Sequence, residues 1–306
     1  MSPRVSWEDQ RAFVAVLEEG SLSAAARRLG VSQPTVRARL NALEQALGVV
    51  LFTRSMRGVV PTDQARALIG PARMMANASE TFIRAAAGPS DRVAGIVRLS
   101  VSDVVGVELL PAMLVELRHR HPDLIIETVL SNASANLLEQ EVDIAVRMHR
   151  PAQEALVAKE VPPIPIGLFA HVEYLAARGM PLSVAELERH DIIGSDRSVA
   201  DLAFASAFLP GVSRKRYVIR TDSHPAQLAA ARAGLGIAII QLAIGLGDDR
   251  LQRVLPDLEI SPLRTWIVTH ESLRTTPRIR TVFDHLVSAF DAYRARLTRA
   301  LGATRL

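Results

Sequence analysis

Residues 21–62 read SLSAAARRLG VSQPTVRARL NALEQALGVV LFTRSMRGVV PT, and this stretch decides the fold of the N-terminal part. Ser23 is placed to cap a short helix over residues 24–29, and Ser32 is placed to cap a second helix that has Pro34 in its first turn. The turn between the two helices is only three residues long, so the helices must cross sharply. The stretch therefore predicts a helix-turn-helix.

The second of these helices has one apolar face and one small, polar face. Val36, Leu40 and Leu43 recur at i, i+4 and i+7 and should point into the core. The opposite face would fit a DNA major groove, which is about 12 Å wide and admits a helix. The residues of this helix predicted to contact DNA are Ser32, Gln33, Pro34, Thr35, Arg37, Ala38, Arg39 and Asn41.

A strand-like run over residues 49–52 and a second over residues 59–60 flank a basic turn. Together they predict a hairpin wing beside the recognition helix, and Arg54 and Arg57 in it are further predicted DNA contacts. Upstream, Ser6 and Asp9 have capping-box spacing and begin a first helix that reaches Glu19.

The quoted stretch resembles the DNA-binding segment of the LysR-type transcriptional regulators. The matching positions are Ala25, Ala26, Leu29, Ser32 to Pro34, Val36, Leu43, Glu44, Leu47, Gly48, Leu51, Phe52, Arg54, Pro61 and Thr62. There are two departures, because the family usually has a serine where Arg37 stands and a glycine near Ala65. The first leaves open whether Arg37 contacts a base or a phosphate.

From Thr62 to Ala87 the sequence predicts one long helix with a heptad pattern of small and apolar residues. Such a stripe either packs on its own domain or pairs with a second helix, and the resemblance implies that it pairs two protomers. The predicted dimerisation residues are Leu68, Ala72, Met75, Ser79 and Phe82. Residues 88–90, Gly-Pro-Ser, end the helix and mark a domain boundary.

Beyond residue 90, strands alternate with helices, which predicts an α/β domain with a largely parallel sheet. One helix is expected to run from the first strand through Leu117, and a short one to end at Glu139. The resemblance, carried here by residues 143–147, 174–179 and 233–237, implies two Rossmann-like lobes of the periplasmic-binding-protein type. The expected divisions are a winged helix-turn-helix at 1–61, a linker helix at 62–88 and an effector-binding domain at 89–306, with lobe I at 91–161 and 268–306 and lobe II at 162–267.

Ligands of open α/β sheets bind beyond the carboxyl ends of strands, near helix N-termini. Polar residues at three such junctions predict an effector site in the cleft between the lobes, as the resemblance also implies. The predicted residues are Ser102, Asp103, Ser131, Asn132, Arg147, Asp222, Ser223 and His224. Ser131, Asp222 and Ser223 would serve equally well as helix caps, and a carboxylate at Asp103 leaves the charge of the effector open.

Charge is distributed unevenly along the chain. Residues 1–90 hold 11 arginines and 7 acidic residues, whereas residues 91–306 hold 25 basic and 25 acidic ones. A basic N-terminal part joined to a neutral C-terminal part is typical of a protein in which only the N-terminal part binds a polyanion. The expected partners are double-stranded DNA with paired half-sites, a small-molecule effector, a second copy in a homodimer that extends to a homotetramer, and RNA polymerase.

Other classes of function lack the residues they need. No phosphate loop, His-Glu-x-x-His or Gly-x-Ser-x-Gly motif occurs, and there is no cysteine, so neither an enzyme nor a cofactor is expected. The N-terminus carries no apolar signal segment, and the longest uncharged apolar run, residues 233–247, is short of the roughly 20 residues of a membrane helix, so a cytoplasmic location is expected. An effector-independent DNA-binding protein and a solute-binding protein remain the alternatives.

Overall fold

The structure, a computed structural model, describes residues 5–55, 58–86, 93–132, 142–148, 150 and 156–303. Arg57, the helix expected to end at Glu139 and the break expected at 88–90 lie outside the described residues, as does the side chain of Arg54. Within the described ranges, no helix combines the length and the apolar character needed to cross a membrane.

Three helices form the N-terminal core: α1 (Trp7–Glu19), α2 (Leu22–Leu29) and α3 (Gln33–Leu47). The capping box of Ser6 and Asp9 and the cap of α3 by Ser32 are confirmed. The cap predicted for α2 is wrong, because Ser21, with an extended backbone, accepts the hydrogen bond from the Ala24 amide. Gly30 ends α2 at φ 66°, a left-handed conformation that favours glycine.

A two-stranded antiparallel wing follows α3, formed by β1 (Phe52–Ser55) and β2 (Gly58–Pro61). The strand predicted to start at residue 49 is therefore wrong by three residues. The reason is Glu44 of α3, whose carboxylate accepts hydrogen bonds from the amides of Leu51 (2.7 Å) and Phe52 (3.3 Å). Glu44 thus holds the chain as a loop against α3 until the hairpin begins.

Two helices that were each expected to be continuous are broken shortly before a proline. The first gives α4 (Asp63–Ala67) and α5 (Ile69–Ala86), and the second gives α6 (Asp103–Glu108) and α7 (Leu110–Arg120). Pro71 and Pro111 have no amide hydrogen to donate to the carbonyl four residues earlier, so both predictions of one long helix are corrected.

The residues predicted for dimerisation separate into two groups. Ala72 is buried in the N-terminal core, and Leu68 packs against that core, so these two face their own domain. Met75 and Phe82 are exposed, Phe82 to 77%, and Ser79 between them is half-buried. Of the predicted stripe, the distal part of α5 is therefore the part that presents apolar side chains outward.

The C-terminal part consists of two lobes. Lobe I contains β3 (Gly95–Val101), α6, α7, β4 (Leu124–Leu130), β5 (Ile144–Arg147), β6 (Leu156–Ile164), β12 (Leu263–His270) and α12 (Pro277–Ala303). Lobe II contains β7 (Ile166–His171), α8 (Val172–Arg178), β8 (Ile192–Gly194), α9 (Val199–Phe208), β9 (Tyr217–Arg220), α10 (His224–Arg232), β10 (Ala238–Gln241), α11 (Leu242–Leu246) and β11 (Leu251–Val254).

The sheets are mixed, which corrects the prediction of a largely parallel sheet. In lobe I the order is β4-β3-β5-β12-β6, with β3 parallel to β4 and β5 but β12 antiparallel to both β5 and β6. In lobe II, β7 pairs antiparallel with β10 and β11, whereas β8 and β9 are parallel. β6 leaves lobe I and β12 returns to it, so these neighbours run in opposite directions.

We expect Glu44→Ala to loosen the wing, because the amides of Leu51 and Phe52 would lose their acceptor. The expected cost is about 1–3 kcal/mol, as for other buried donors left without a partner. Hydrogen exchange of residues 51–55 should accelerate in Glu44→Ala and much less in Glu44→Gln, which keeps one acceptor oxygen. Unchanged exchange in Glu44→Ala would show that the wing is held by other contacts.

Candidate functional site

The exposed face of α3 matches the predicted DNA-contacting face. Gln33, Pro34, Ala38 and Asn41 are exposed, while Val36, Leu40 and Leu43 are buried. Thr35 is half-buried, and its hydroxyl lies 2.7 Å from that of Ser32. The face is therefore small and polar, and the one acidic side chain next to it in the sequence, Glu44, is turned toward the wing.

The two arginines of α3 differ in their surroundings. Arg39 Nη1 lies 2.9 Å from a carboxylate oxygen of Glu8 on α1. Arg37 is exposed and, among the described residues, has no ion-pair partner. Arg37 is thus the cation of this helix that is free to meet a phosphate or a base.

A cavity of about 400 Å³ lies between the lobes, beyond the carboxyl ends of β3, β4 and β5. Five of the eight predicted effector residues line it: Ser102, Ser131, Asn132, Arg147 and His224. A larger hollow of about 830 Å³ lies on the outside of lobe I between α7 and α12, away from these strand ends. The interlobe cavity is therefore the candidate ligand site.

His224, the first residue of α10 in lobe II, sits between two carboxylates. Its Nδ1 is 3.3 Å from Asp103 Oδ1 of lobe I, and its Nε2 is 3.3 Å from Asp201 Oδ2 of lobe II. Burial disfavours the charged imidazole, but hydrogen bonds and the charges of both aspartates outweigh burial and raise the pKa of His224 to about 9. The side chain is therefore an imidazolium at neutral pH.

Asp103 does not line the cavity but positions the residue that does. Its Oδ2 accepts a hydrogen bond from the His224 amide, and its own amide donates to Asn132 Oδ1. Burial works against the charged form of Asp103, yet the bonds to His224 and Asn132 keep its pKa below the ordinary value. Nearby, Arg232 of α10 forms a bidentate pair with Glu108 of α6, with both distances 2.9 Å. Two charged contacts thus join α6 to α10 across the cleft.

Arg147 is buried, with 5% of its surface exposed. Its Nη1 donates to the carbonyls of Ser100 and Val146, and its Nη2 donates to the Ser100 hydroxyl. No carboxylate of the described residues pairs with it, and burial lowers its pKa. These hydrogen bonds hold the guanidinium against β3 and β5 in the wall of the cavity.

Asp222 and Ser223, which were also predicted for the effector site, are not among the residues that line the cavity. Asp222 accepts hydrogen bonds from the amides of residues 196–198, and Ser223 caps α10 by accepting from the Ala226 amide. Backbone amides therefore engage both side chains: Ser223 caps α10, as the alternative expected, and Asp222 binds the amides that lead into α9.

Several polar residues of the lining were not predicted, namely Ser195, Asp201, Gln227 and Gln241. Gln227 and Asp201 carry no local signal, because only the folding of lobe II brings them to the strand ends. Gln241 does carry one, since it is the one polar side chain in the apolar run of residues 233–247. A lone amide in such a run indicates either a buried hydrogen bond or a ligand.

A helix-turn-helix with a wing, joined by a helix to a two-lobed α/β domain with a cleft, defines a DNA-binding transcription regulator with a ligand-binding domain. Residues 7–66 match the family model "Bacterial regulatory helix-turn-helix protein, lysR family", and residues 90–291 match "LysR substrate binding domain". The chain belongs to the LysR family of transcriptional regulators.

Curated relatives agree with this assignment. A "Probable hydrogen peroxide-inducible genes activator" of Mycobacterium leprae is 42% identical over 155 residues, which span 50% of this chain and 49% of that protein. The match to this relative thus covers about half of its length. A "Probable HTH-type transcriptional regulator LtrA" of Klebsiella pneumoniae is 25% identical over 95% of this chain and 96% of that protein.

Solved structures share the fold. CrgA from Neisseria meningitidis superposes with a TM-score of 0.59 at 22% identity, covering 94% of this chain and 99% of that chain. A full-length OxyR variant from Pseudomonas aeruginosa gives a TM-score of 0.73 at 15% identity, covering 94% and 95%.

We predict that Arg37→Ser weakens binding to all DNA sequences alike and lowers the salt slope of the binding constant by about one unit. Arg37 lies about 100° around the helix axis from the buried Val36. It is therefore on the flank of the exposed face, where a side chain meets the phosphate backbone of the DNA. Titrations against a selected operator and a random duplex at several salt concentrations measure both quantities.

Arg39→Ser is the matched control, because Glu8 already neutralises that arginine, and it should change the slope less. A loss confined to the operator, of about 1–3 kcal/mol, would instead make Arg37 a base contact.

We also predict that stability depends on the charge of His224. Its pKa is raised from 6.5 to about 9, so its contribution is complete below pH 6.5 and is lost as pH rises through 9. Urea denaturation is followed by Trp266 fluorescence in a Trp7→Phe background, because Trp7 is the other tryptophan. The protein with His224 should lose about 1–2 kcal/mol more than His224→Gln across this window, a figure reduced for partial exposure. Equal pH slopes for the two proteins would contradict the ion-pair geometry.

Proposed function

We propose that this regulator binds a small-molecule effector in the interlobe cavity and that the bound effector changes its affinity for DNA. The observation that carries the proposal is the cavity of about 400 Å³ at the strand ends, where polar side chains from both lobes converge in an apolar lining. Binding sites for small molecules have this size and this composition.

The contacts between the lobes suggest how an effector bound in the cavity would change the conformation of the protein. Asp103 with His224, and Glu108 with Arg232, hold α6 and α10 together at one edge of the cleft. A ligand that fits one spacing of the lobes better than another shifts the population toward that spacing, and only by its difference in affinity. Such a change in the effector domain would reach the DNA-binding domain through the linker helix.

We further propose that α5 pairs with α5 of a second copy. Phe82 and Met75 are exposed on this helix, and burying them against a partner would remove apolar surface from water. A two-fold dimer presents two recognition helices about one turn of DNA apart, or a multiple of it, and so would read paired half-sites. The same proposal includes domain divisions at residues 61 and 88, a homotetramer, contact with RNA polymerase and a cytoplasmic location.

Peroxide sensing does not follow from the named relatives. The Mycobacterium leprae relative is named for induction by hydrogen peroxide. This chain contains no cysteine, so it can form neither a sulfenic acid nor a disulfide. Non-covalent occupancy of the cleft is the mode of regulation that its residues support.

The proposal is tested by a thermal-shift screen of the full chain against small acids, amines, amides and aromatic compounds, followed by DNA binding with each hit. A bound ligand present at 100 times its Kd stabilises the protein by about 2.7 kcal/mol. The expected result is a hit that also changes operator affinity. Hits that leave operator affinity unchanged would favour the second candidate, an effector-independent DNA-binding protein.

For the dimer, we predict that Phe82→Asp shifts the protein toward monomer and weakens binding to paired half-sites, because a carboxylate would be buried in the helix pair. Sedimentation and operator titration measure the two effects. Leu182→Asp, at an equally exposed apolar position of lobe II, is the control and should change neither. Full size and full affinity in Phe82→Asp would show that α5 is not the dimer contact.

A further inference from the structure

Two glutamines of lobe II line the interlobe cavity and differ in one respect. Gln227 is 6% exposed, and its Nε2 donates to Ser195 Oγ (3.2 Å) and to the Thr221 carbonyl (2.7 Å). Gln241 is 4% exposed, and within the described part of the chain neither its Nε2 nor its Oε1 has a hydrogen-bond partner. The fold satisfies one amide and leaves the other unsatisfied.

The backbone holds Gln241 in place. It ends β10, pairs in register with Ile166 of β7, and is followed by Leu242, whose amide donates to the Pro165 carbonyl. Pro165 lies between the last residue of β6 in lobe I and the first of β7 in lobe II. The unpartnered amide therefore stands at a fixed position beside the crossing between lobes.

A second unpartnered group comes from lobe I. Ser102 precedes α6 but makes no capping hydrogen bond with its side chain, and its buried Oγ has no partner in the described residues. Native proteins satisfy nearly all buried polar groups, and one that remains unmatched in a cavity wall indicates a ligand or an ordered water. Ser102 and Gln241 supply such groups from opposite lobes of the same cavity.

The charges around the cavity are balanced by the protein itself. His224 is flanked by Asp103 and Asp201, which leaves one negative charge in that cluster. Arg147 contributes one positive charge, and the Ser100 and Val146 contacts take its Nη1 hydrogens and one on Nη2. With Asp103, which pairs with His224 but does not line the cavity, the four groups sum to zero, so the cluster around the cavity offers a charged ligand no net compensating charge.

Ser131, Asn132, Ser195 and Tyr217 add further polar groups, but most of the remaining lining is apolar. It includes Val104, Val146, Met148, Phe204, Leu228 and Ile239. Removing an apolar molecular body from water into such a lining is favourable, whereas removing an ionised group is strongly unfavourable unless it is paired.

We infer, on the basis of the proposed function, that the molecule bound in this cleft is uncharged and mostly apolar and carries a carboxamide-like group. Its N–H donates to Gln241 Oε1, and its carbonyl accepts from Gln241 Nε2. An amide is the simplest group that offers a donor and an acceptor side by side without a charge. A hydroxyl or carbonyl elsewhere on the molecule would engage Ser102 and so contact both lobes.

The test uses the full-length protein and two pairs of probes that differ only in charge: benzamide against benzoate, and 3-phenylpropanamide against 3-phenylpropanoate. Calorimetry should give each amide a Kd at least about tenfold lower than that of its acid. Gln241→Leu should weaken amide binding by a similar factor, because the paired donor and acceptor are lost.

The Gln241→Leu and Gln227→Leu variants test whether the amide of Gln241 is structural. Without ligand, Gln241→Leu should keep or raise the melting temperature, since it removes two unsatisfied polar atoms. Gln227→Leu should lower it, because Ser195 and Thr221 lose their donor. A fall in Gln241→Leu as large as that in Gln227→Leu would mean that the fold already satisfies this amide, and the inference would be wrong.

The binding of the amide and acid probes also tests the inferred ligand class. Acids that bind more tightly than their amides would overturn the inferred ligand class while leaving effector binding in the cleft intact. Failure of both amides to bind the wild type at millimolar concentration would overturn the class as well. The proposed function itself fails only if the wider screen finds no ligand that alters DNA affinity.

Discussion

The contact between His224 of lobe II and Asp103 of lobe I is the constraint on which the effector domain depends. A half-buried imidazole between two carboxylates stays charged at neutral pH, so the attraction across the cleft is not lost under ordinary conditions. The bidentate pair of Arg232 with Glu108 repeats the connection one and a half turns further along α6 and two turns further along α10. Together these contacts set the spacing of α6 and α10 and therefore the width of the cavity that both lobes line.

Acidic residues of the DNA-binding domain are also engaged in contacts within the protein, but one arginine is left without a partner. Glu44 is used to hold the wing, Glu8 to hold Arg39, and Glu18 and Glu19 to hold Arg28. The internal pairing of these charges leaves Arg37 without a partner among the described residues, at the flank of the recognition face. A domain whose acids are engaged in this way presents its remaining positive charge where the helix would enter the groove.

Local chemistry was readable from the sequence, and long-range placement was not. Ser6 and Ser32 act as the caps that the sequence predicts, because a cap depends on residues within one turn, although the cap of α2 is Ser21 and not the predicted Ser23. The breaks before Pro71 and Pro111 carry a local signal, since a proline removes a defined hydrogen bond, but both were missed, and the heptad pattern obscured the first. The mixed strand directions of the lobe I sheet were not predicted, because they depend on which strands cross between the lobes.

The candidate ligand site shows the same difference between local and long-range features. The rule that ligands bind beyond strand ends predicts Ser102, Asn132 and His224, which line the cavity, but it also predicts Asp222 and Ser223, which serve local amides. Asp103 and His224 are 121 residues apart, and no short pattern indicates that they meet. Gln241 was visible only as a polar interruption of an apolar run, and its lack of a partner emerged from the packing of β10 against β7.

The central claim is that charged contacts set the width of the cleft, and the distance between the lobes tests it most directly. The chain lacks cysteine, so His119→Cys on lobe I and Leu182→Cys on lobe II give two unique sites for spin labels. Double electron–electron resonance, with labelled chain diluted into excess unlabelled chain, measures that distance. We expect a narrow distribution that broadens toward longer distances when His224→Gln and Arg232→Gln are combined, and no change in Arg264→Gln, an exposed pair within lobe I. An unchanged distribution in the combined variant would contradict the account.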